Sequence, residues 1–196
     1  MMILIKNANL LGMADQNYEP ADILIEDKKI TAIGAPGSLV PPGAKVIDAA
    51  GRFVTPGIVD AHCHIGLFEE AIGFEGADGN EMTNPIFPEL RAIDAVKPQD
   101  VAFREALEAG VTTVSTGPGS GNVIGGTFCI MKTKGQTIDD MVLVPESAMK
   151  MALGENPKRV YNGKGQTPTT RMGSAALMRD ALIKAREYKA KQDKYA

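Results

Sequence analysis

The 196-residue chain has no tryptophan, only two cysteines, only two histidines and an aromatic content of 5%. Two cysteines cannot form a disulfide framework. Met1-Met2-Ile3-Leu4-Ile5 is apolar, but Lys6 and Asn7 interrupt it well short of a secretory signal core. No stretch approaches the roughly 20 apolar residues that a membrane-spanning helix requires. These absences lead us to expect a soluble, cytoplasmic chain with reduced thiols and no membrane association. Strong charge of either sign is also missing: 21 basic residues stand against 24 acidic ones, a net charge of −3. That balance offers no electrostatic case for nucleic acid or for an anionic membrane. Basic and aromatic residues meet only in Ala185-Arg186-Glu187-Tyr188-Lys189, which reads as the solvated face of a helix. The chain does have 44% apolar and 23% charged residues, enough for a packed core. Its length suits one ordinary domain, or a small domain plus part of a larger one.

The pattern changes near residue 56. Residues 1–55 read as short strands at 2–9, 22–26, 29–34, 45–48 and 52–54. A polar turn follows Asn9, and the tight turn Glu26-Asp27-Lys28 signals a hairpin. Pro36-Gly37 and Pro41-Pro42-Gly43 punctuate the next connection. Isoleucine and valine alternate with polar neighbours, which indicates strands buried on one face. A small antiparallel sheet or half-sandwich is expected. Residues 56–196 follow an α/β grammar instead. An apolar strand at 58–62 precedes a helix opened by Pro98 and Asp100, whose stripe is Phe103, Ala106, Leu107 and Gly110. Further strands are expected at 111–116, 128–132 and 148–153, all parallel. A long helix starts near Thr170 and buries Leu177, Met178, Ala181, Leu182, Ala185 and Tyr188. Four such βα units amount to about half of a (β/α)8 barrel.

Both histidines lie in His62-Cys63-His64, directly after Gly57-Ile58-Val59-Asp60-Ala61. Residues i and i+2 of a strand project to the same face. Two imidazoles there can reach one cation at about 2.0–2.1 Å, the usual zinc–nitrogen distance. The alternative is a pair of ordinary surface or core histidines. Cys63 points the other way and reads as packing, as does Cys129.

The stretch Pro56-Gly57-Ile58-Val59-Asp60-Ala61-His62-Cys63-His64, following a β-rich segment, resembles the first barrel strand of the amidohydrolase superfamily. Lys150-Met151-Ala152-Leu153-Gly154-Glu155-Asn156-Pro157-Lys158-Arg159-Val160-Tyr161, with Thr169-Thr170-Arg171-Met172-Gly173, resembles its imidazolonepropionase-related branch. The resemblance spans nearly the whole chain but only the N-terminal half of such an enzyme. It implies a partial (β/α)8 TIM barrel preceded by a small β-sandwich part. The activity it implies is hydrolysis of a cyclic or non-peptide C–N bond, or of a dipeptide, by metal-activated water. The cofactor would be one or two divalent ions, Zn2+ first, and the partner a small-molecule substrate. His62 and His64 map onto the metal ligands of strand one. A further ligand would come first from Glu155, where the strand at 148–153 ends, since a carboxylate binds metal without added CO2. Lys150 as a carbamate comes second, with Lys132 behind both. Asp60 would orient an imidazole or sit hydrogen-bonded at the barrel floor. Arg171 would face a substrate carboxylate.

The resemblance also implies what this chain does not carry. The family's other ligands are histidines on later strands and its general base is a later aspartate, yet no histidine follows His64. The chain is therefore expected to be catalytically incomplete alone. It would be a fragment, a non-catalytic half-barrel subunit completed by a C-terminal half chain, or part of a homo-oligomer. Gly117-Pro118-Gly119-Ser120-Gly121 through Gly126 invites a dinucleotide reading, but a strand and not a helix follows it. A flexible loop over the barrel mouth is expected there.

Overall fold

The computed structural model describes residues 1–13 and 18–195. The chain divides into two compact units, Met1–Gly57 and Ile58–Ala196. The first contains β1 (Met2–Leu11), β2 (Tyr18–Glu26), β3 (Lys29–Gly34), β4 (Lys45–Asp48) and β5 (Phe53–Val54). The hairpin between β2 and β3 forms as expected. Asp27 and Lys28 both have positive φ, +47° and +69°, the backbone of a primed two-residue turn whose twist matches that of the strands. Of the polar turn expected after Asn9, residues 14–17 lie outside the described residues. The purely antiparallel sheet is not what forms. The order is β3-β2-β1-β4, and both β4 and β5 run parallel to β1. Residues 35–44 carry the chain from the β3 edge across the sheet to the far side of β1, so that β4 enters parallel to it. Ala8, Ile23 and Ala49 form the apolar core of this unit. Buried Asp22 fastens the crossover, accepting from the Asn7 and Gly37 backbone N–H groups at 2.9 and 2.8 Å.

The second unit contains β6 (Ile58–Cys63), α1 (Val101–Glu108), β7 (Val111–Thr116), β8 (Ile124–Lys132), α2 (Ile138–Met141), β9 (Val142–Met151), α3 (Glu155–Asn162) and α4 (Arg171–Tyr195). Asp100 caps α1 through Oδ1, which accepts from the Ala102 N–H at 3.2 Å, and Phe103 is buried as the stripe requires. Gly110, at φ +87°, ends the turn and feeds β7, which lies parallel to β6. This is the one βα unit that forms as expected.

The other three differ. The sheet order is β6-β7-β8-β9, but β8 is antiparallel to both of its neighbours. The seven residues of 117–123 are too few for a crossover, which needs about a dozen, so the chain doubles back. The same holds for residues 133–141. β9 consequently points the same way as β6 and β7. It begins six residues before the expected strand at 148. Pro145 sits within it, at the irregularity between the Ala148 and Val144 pairings, where a proline is tolerated on an edge strand. α3 was not expected: Pro157 falls in its first turn, where its missing N–H costs nothing.

The core of this unit is Leu67, Ala92, Val96, Phe103, Val114, Cys129, Met131 and Met141. The stripe of α4 is less buried than its spacing implies. Only Ser174 is fully buried, while Leu182 and Tyr188 remain 50% and 64% exposed. Among the described residues, no helix is long and apolar enough to cross a membrane.

Candidate metal centre

The two histidines stand at the C-terminal end of β6. Their ring centroids are 5.3 Å apart with the planes at 82°. Two imidazoles sharing one tetrahedral ion at about 2.0–2.1 Å place their centroids about 5 Å apart, so the pair has the spacing that such an ion needs.

The surroundings of His64 also select which ring nitrogen carries a proton. Its Nδ1 lies 2.7 Å from the carbonyl oxygen of Gly117. A carbonyl can only accept, so Nδ1 carries a proton and donates, and in the neutral ring this leaves the Nε2 lone pair free. Metal-binding histidines are commonly oriented this way by a hydrogen bond on the other ring nitrogen. Gly117 directly follows β7, and its own N–H donates to the Cys63 carbonyl at 3.3 Å. A Cβ at this position would run into the ring of Phe128, so the close approach requires glycine.

Phe128 lies at the centre of the arrangement. Its ring centroid is 5.1 Å from that of His62 and 6.3 Å from that of His64, and Lys150 Nζ lies 5.8 Å from it. The register explains the meeting: Phe128 pairs with Ala148 on β9, which carries Lys150 to the same end of the sheet. Burial pulls the Lys150 ammonium below the usual lysine range.

The other candidates lie apart. Glu155 is exposed in the first turn of α3, its carboxylate 4.0 Å from the Arg159 guanidinium. Lys132 is at the opposite end of the sheet, because β8 runs backwards, and its Nζ donates to Thr113 Oγ1 at 2.9 Å. Asp60 does not reach an imidazole through the contact it makes; Oδ1 accepts from the backbone N–H of His62 at 3.1 Å. Arg171 is exposed at the start of α4. Among the described residues, no three His, Cys, Asp or Glu side chains gather in a way that could hold a metal. Of the candidates, Lys150 is the one that shares Phe128 with the histidine pair.

Cys63 and Cys129 are unpaired, and burial raises both thiols, Cys129 to about 11, which makes them packing groups. The glycine-rich segment after β7 is not a flexible flap. Gly117, Pro118, Gly119, Gly121, Asn122 and Val123 are all buried. Gly117 and Phe128 escaped the sequence reading because their roles arise from the β7-β8-β9 register.

No family model matches the chain. It is 37% identical over 186 residues to the amidohydrolase tasK of Hapsidospora irregularis, an alignment covering 88% of this chain and 19% of that protein. The crystal structure of an amidohydrolase from Thermotoga maritima MSB8 superposes with a TM-score of 0.92 at 41% identity, covering 97% of this chain and 49% of that one. These relatives support membership of the amidohydrolase superfamily. A dihydroorotase of Caldicellulosiruptor saccharolyticus is 45% identical over 64 residues, 33% of this chain and 15% of that protein. The chain thus spans half or less of each amidohydrolase relative. The mixed α/β arrangement of sheets and helices matches the fold of the Thermotoga protein.

Proposed function

We propose that this chain is the N-terminal portion of a metal-dependent amidohydrolase of the imidazolonepropionase-related branch, acting on a cyclic amide or related C–N bond. In this reading β6, α1 and β7 are the first βα unit of a (β/α)8 barrel, β8 and β9 are an antiparallel extension beside it, and the first unit is part of a small β-sandwich. The observation that carries the proposal is the histidine pair, with centroids 5.3 Å apart and His64 Nδ1 committed to the Gly117 carbonyl. The similarity to a dihydroorotase supports a cyclic amide as substrate.

His62, His64 and Lys150 are the residues that would hold the divalent ion, Zn2+ in this reading. The ion, when bound, supplies a Lewis acid and lowers the pKa of a water toward ~7. Lys150 would contribute as a carbamate: its neutral amine nitrogen bonds to the carbon of CO2 and releases one proton. Its desolvated position beside Phe128 favours the neutral amine that this addition needs. Glu155 ranks behind it, since it would have to leave Arg159. Asp60 steadies the His62 backbone, and Arg171 would contact a substrate carboxylate. The general base and remaining ligands would come from further strands, on a longer chain or on a partner. Reduced Cys63 and Cys129 suit a cytoplasmic location.

The test is metal analysis of the purified chain beside a His62→Ala, His64→Ala double variant. Zn2+ or Co2+ should be retained by the first and absent from the second; equal contents would end the ligand assignment. The 196-residue chain alone should show negligible hydrolysis across a cyclic-amide panel, and robust turnover would refute the incomplete-site reading.

The exposed residues of β9 and α4 favour a second reading, in which the chain is a non-catalytic half-barrel subunit. Stoichiometric copurification with a chain carrying the missing strands would support it. A monomer that stays soluble at high concentration would oppose it.

A further inference from the structure

Residues 117–123 carry the carbonyl that holds His64, yet they belong to no strand or helix. Groups from elsewhere in the unit hold them. The Gly119 N–H donates to the Gly79 carbonyl at 2.8 Å, and the Gly121 N–H donates to Asn80 Oδ1 at 2.8 Å. A Cβ on either glycine would strike the Asn80 amide. Asn122 is 2% exposed, and both ends of its amide are used. Nδ2 donates to the Glu81 carbonyl at 2.6 Å, and Oδ1 accepts from the Tyr161 hydroxyl at 2.6 Å. Tyr161 comes from α3 and is itself fully buried.

Asn122 therefore cannot turn without leaving buried polar groups unpaired, at about 1–3 kcal/mol for each. Its backbone lies five residues beyond Gly117 in the same buried segment. We propose that Asn122, clamped by Tyr161, is a positioning residue for His64: it sets the place of the Gly117 carbonyl, and so the tautomer that leaves Nε2 free for a metal ion. The consequence for metal binding rests on the proposed ligand role of His64, whereas the tautomer does not. The competing arrangement is that the Gly117 N–H, bonded to Cys63 at 3.3 Å, places the carbonyl without help from Asn122.

The experiment is nitrogen NMR of the histidine rings in the metal-free 196-residue chain, at a pH where both are neutral, together with Co2+ affinity by competition. Tyr161→Phe removes one oxygen and keeps the ring, and Asn122→Ala removes the amide. As a control, Thr133→Val deletes a buried hydroxyl that donates to the Val111 carbonyl at 2.8 Å, at the far end of the sheet. The unaltered chain should show His64 protonated on Nδ1. Tyr161→Phe and Asn122→Ala should move it to a mixture of tautomers and weaken Co2+ binding about tenfold, as loss of an orienting partner does. Thr133→Val should leave both readouts unchanged. If Asn122→Ala does not fold, Tyr161→Phe decides. An unchanged His64 tautomer in Tyr161→Phe, or an equal change in Thr133→Val, would overturn the proposal. Tautomer shifts in a chain that binds no Co2+ would remove the ligand role of His64 and leave the positioning role standing.

Discussion

β8 and β9 are hydrogen-bonded neighbours with similar apolar content, yet β8 is buried along nearly its whole length and β9 is exposed along nearly all of it. Cys129 and Met131 on β8 have no accessible surface, whereas Leu143 on β9 is 54% exposed. Composition does not separate Ile130-Met131 from Val142-Leu143-Val144. Their neighbours do. β8 has β7 along one edge and β9 along the other, and where β7 ends, residues 85–91 continue the pairing through bridges at Ile124 and Thr127. Met131 also packs in the cluster that includes Phe103 of α1 and Met141 of α2. The residues from Ile58 to Met141 thus complete their own core, while most of those from Val142 onward present apolar surface of the kind that marks interaction sites.

The largest expected effect tests this contrast directly. Met131→Ala should destabilise the chain by about 2–5 kcal/mol, the usual cost of truncating a fully buried large side chain. Leu143→Ala should change stability by no more than ~0.5 kcal/mol. Urea unfolding of the two variants beside the parent gives the comparison. Equal losses would mean that β9 is covered after all.

The next effect comes from the exception within the second region. Tyr161 belongs to α3 but is buried, because its hydroxyl bonds to Asn122 in the segment between β7 and β8. Burial pushes its phenol up to about 12 from an ordinary 10.0. The folded state therefore keeps a proton that the unfolded chain gives up first. Stability from this group is fully present below pH 10 and is lost as pH rises through about 12, a total of about 2–3 kcal/mol. Tyr161→Phe should flatten that decline, as read from urea midpoints measured across the alkaline range. An unchanged alkaline slope would place the phenol in water and remove the anchor.

The parts of the molecule that were legible in the sequence are those specified by local chemistry. The Asp27-Lys28 turn, the Asp100 cap, the Phe103 stripe and the Gly110 stop each depend on a few adjacent residues, and each formed as its pattern implies. The histidine spacing belongs to the same class. What escaped was set by connection length and register. Nothing in residues 124–132 says that the strand runs backwards; that follows from a seven-residue link too short to cross over. The reversal removes Lys132 from the histidine end and brings Phe128 to it. Lys150 reaches the same end because β9 reverses once more. The glycine run read as mobile because glycine permits freedom, but here it permits close approach to Asn80 and Phe128. Glu155 was expected at a strand end and not in a helix because a helix opening at Gly154 has no side-chain cap to announce it.

The smallest expected change in stability separates spacing from burial. Leu177, Met178, Ala181, Leu182, Ala185 and Tyr188 recur at helical spacing, which ordinarily marks a buried stripe. In α4 the stripe is real but incompletely covered: Leu182 is 50% exposed and neighbouring Ile183 is 37% exposed, beside Leu153 and Met178. Replacing Leu182 with glutamine keeps a good helix former and removes a branched apolar side chain. Unfolding free energy should move by no more than ~0.5 kcal/mol, since little surface is lost from the core. Self-association should fall, because water-exposed apolar stripes drive chains together. Sedimentation velocity over a concentration series reads the association, and urea unfolding reads the stability. A loss of stability as large as that of Met131→Ala would show that α4 is packed along its length. Unchanged stability with reduced association would mean that the stripe faces a surface outside the core of this unit, as the contrast between β8 and β9 requires.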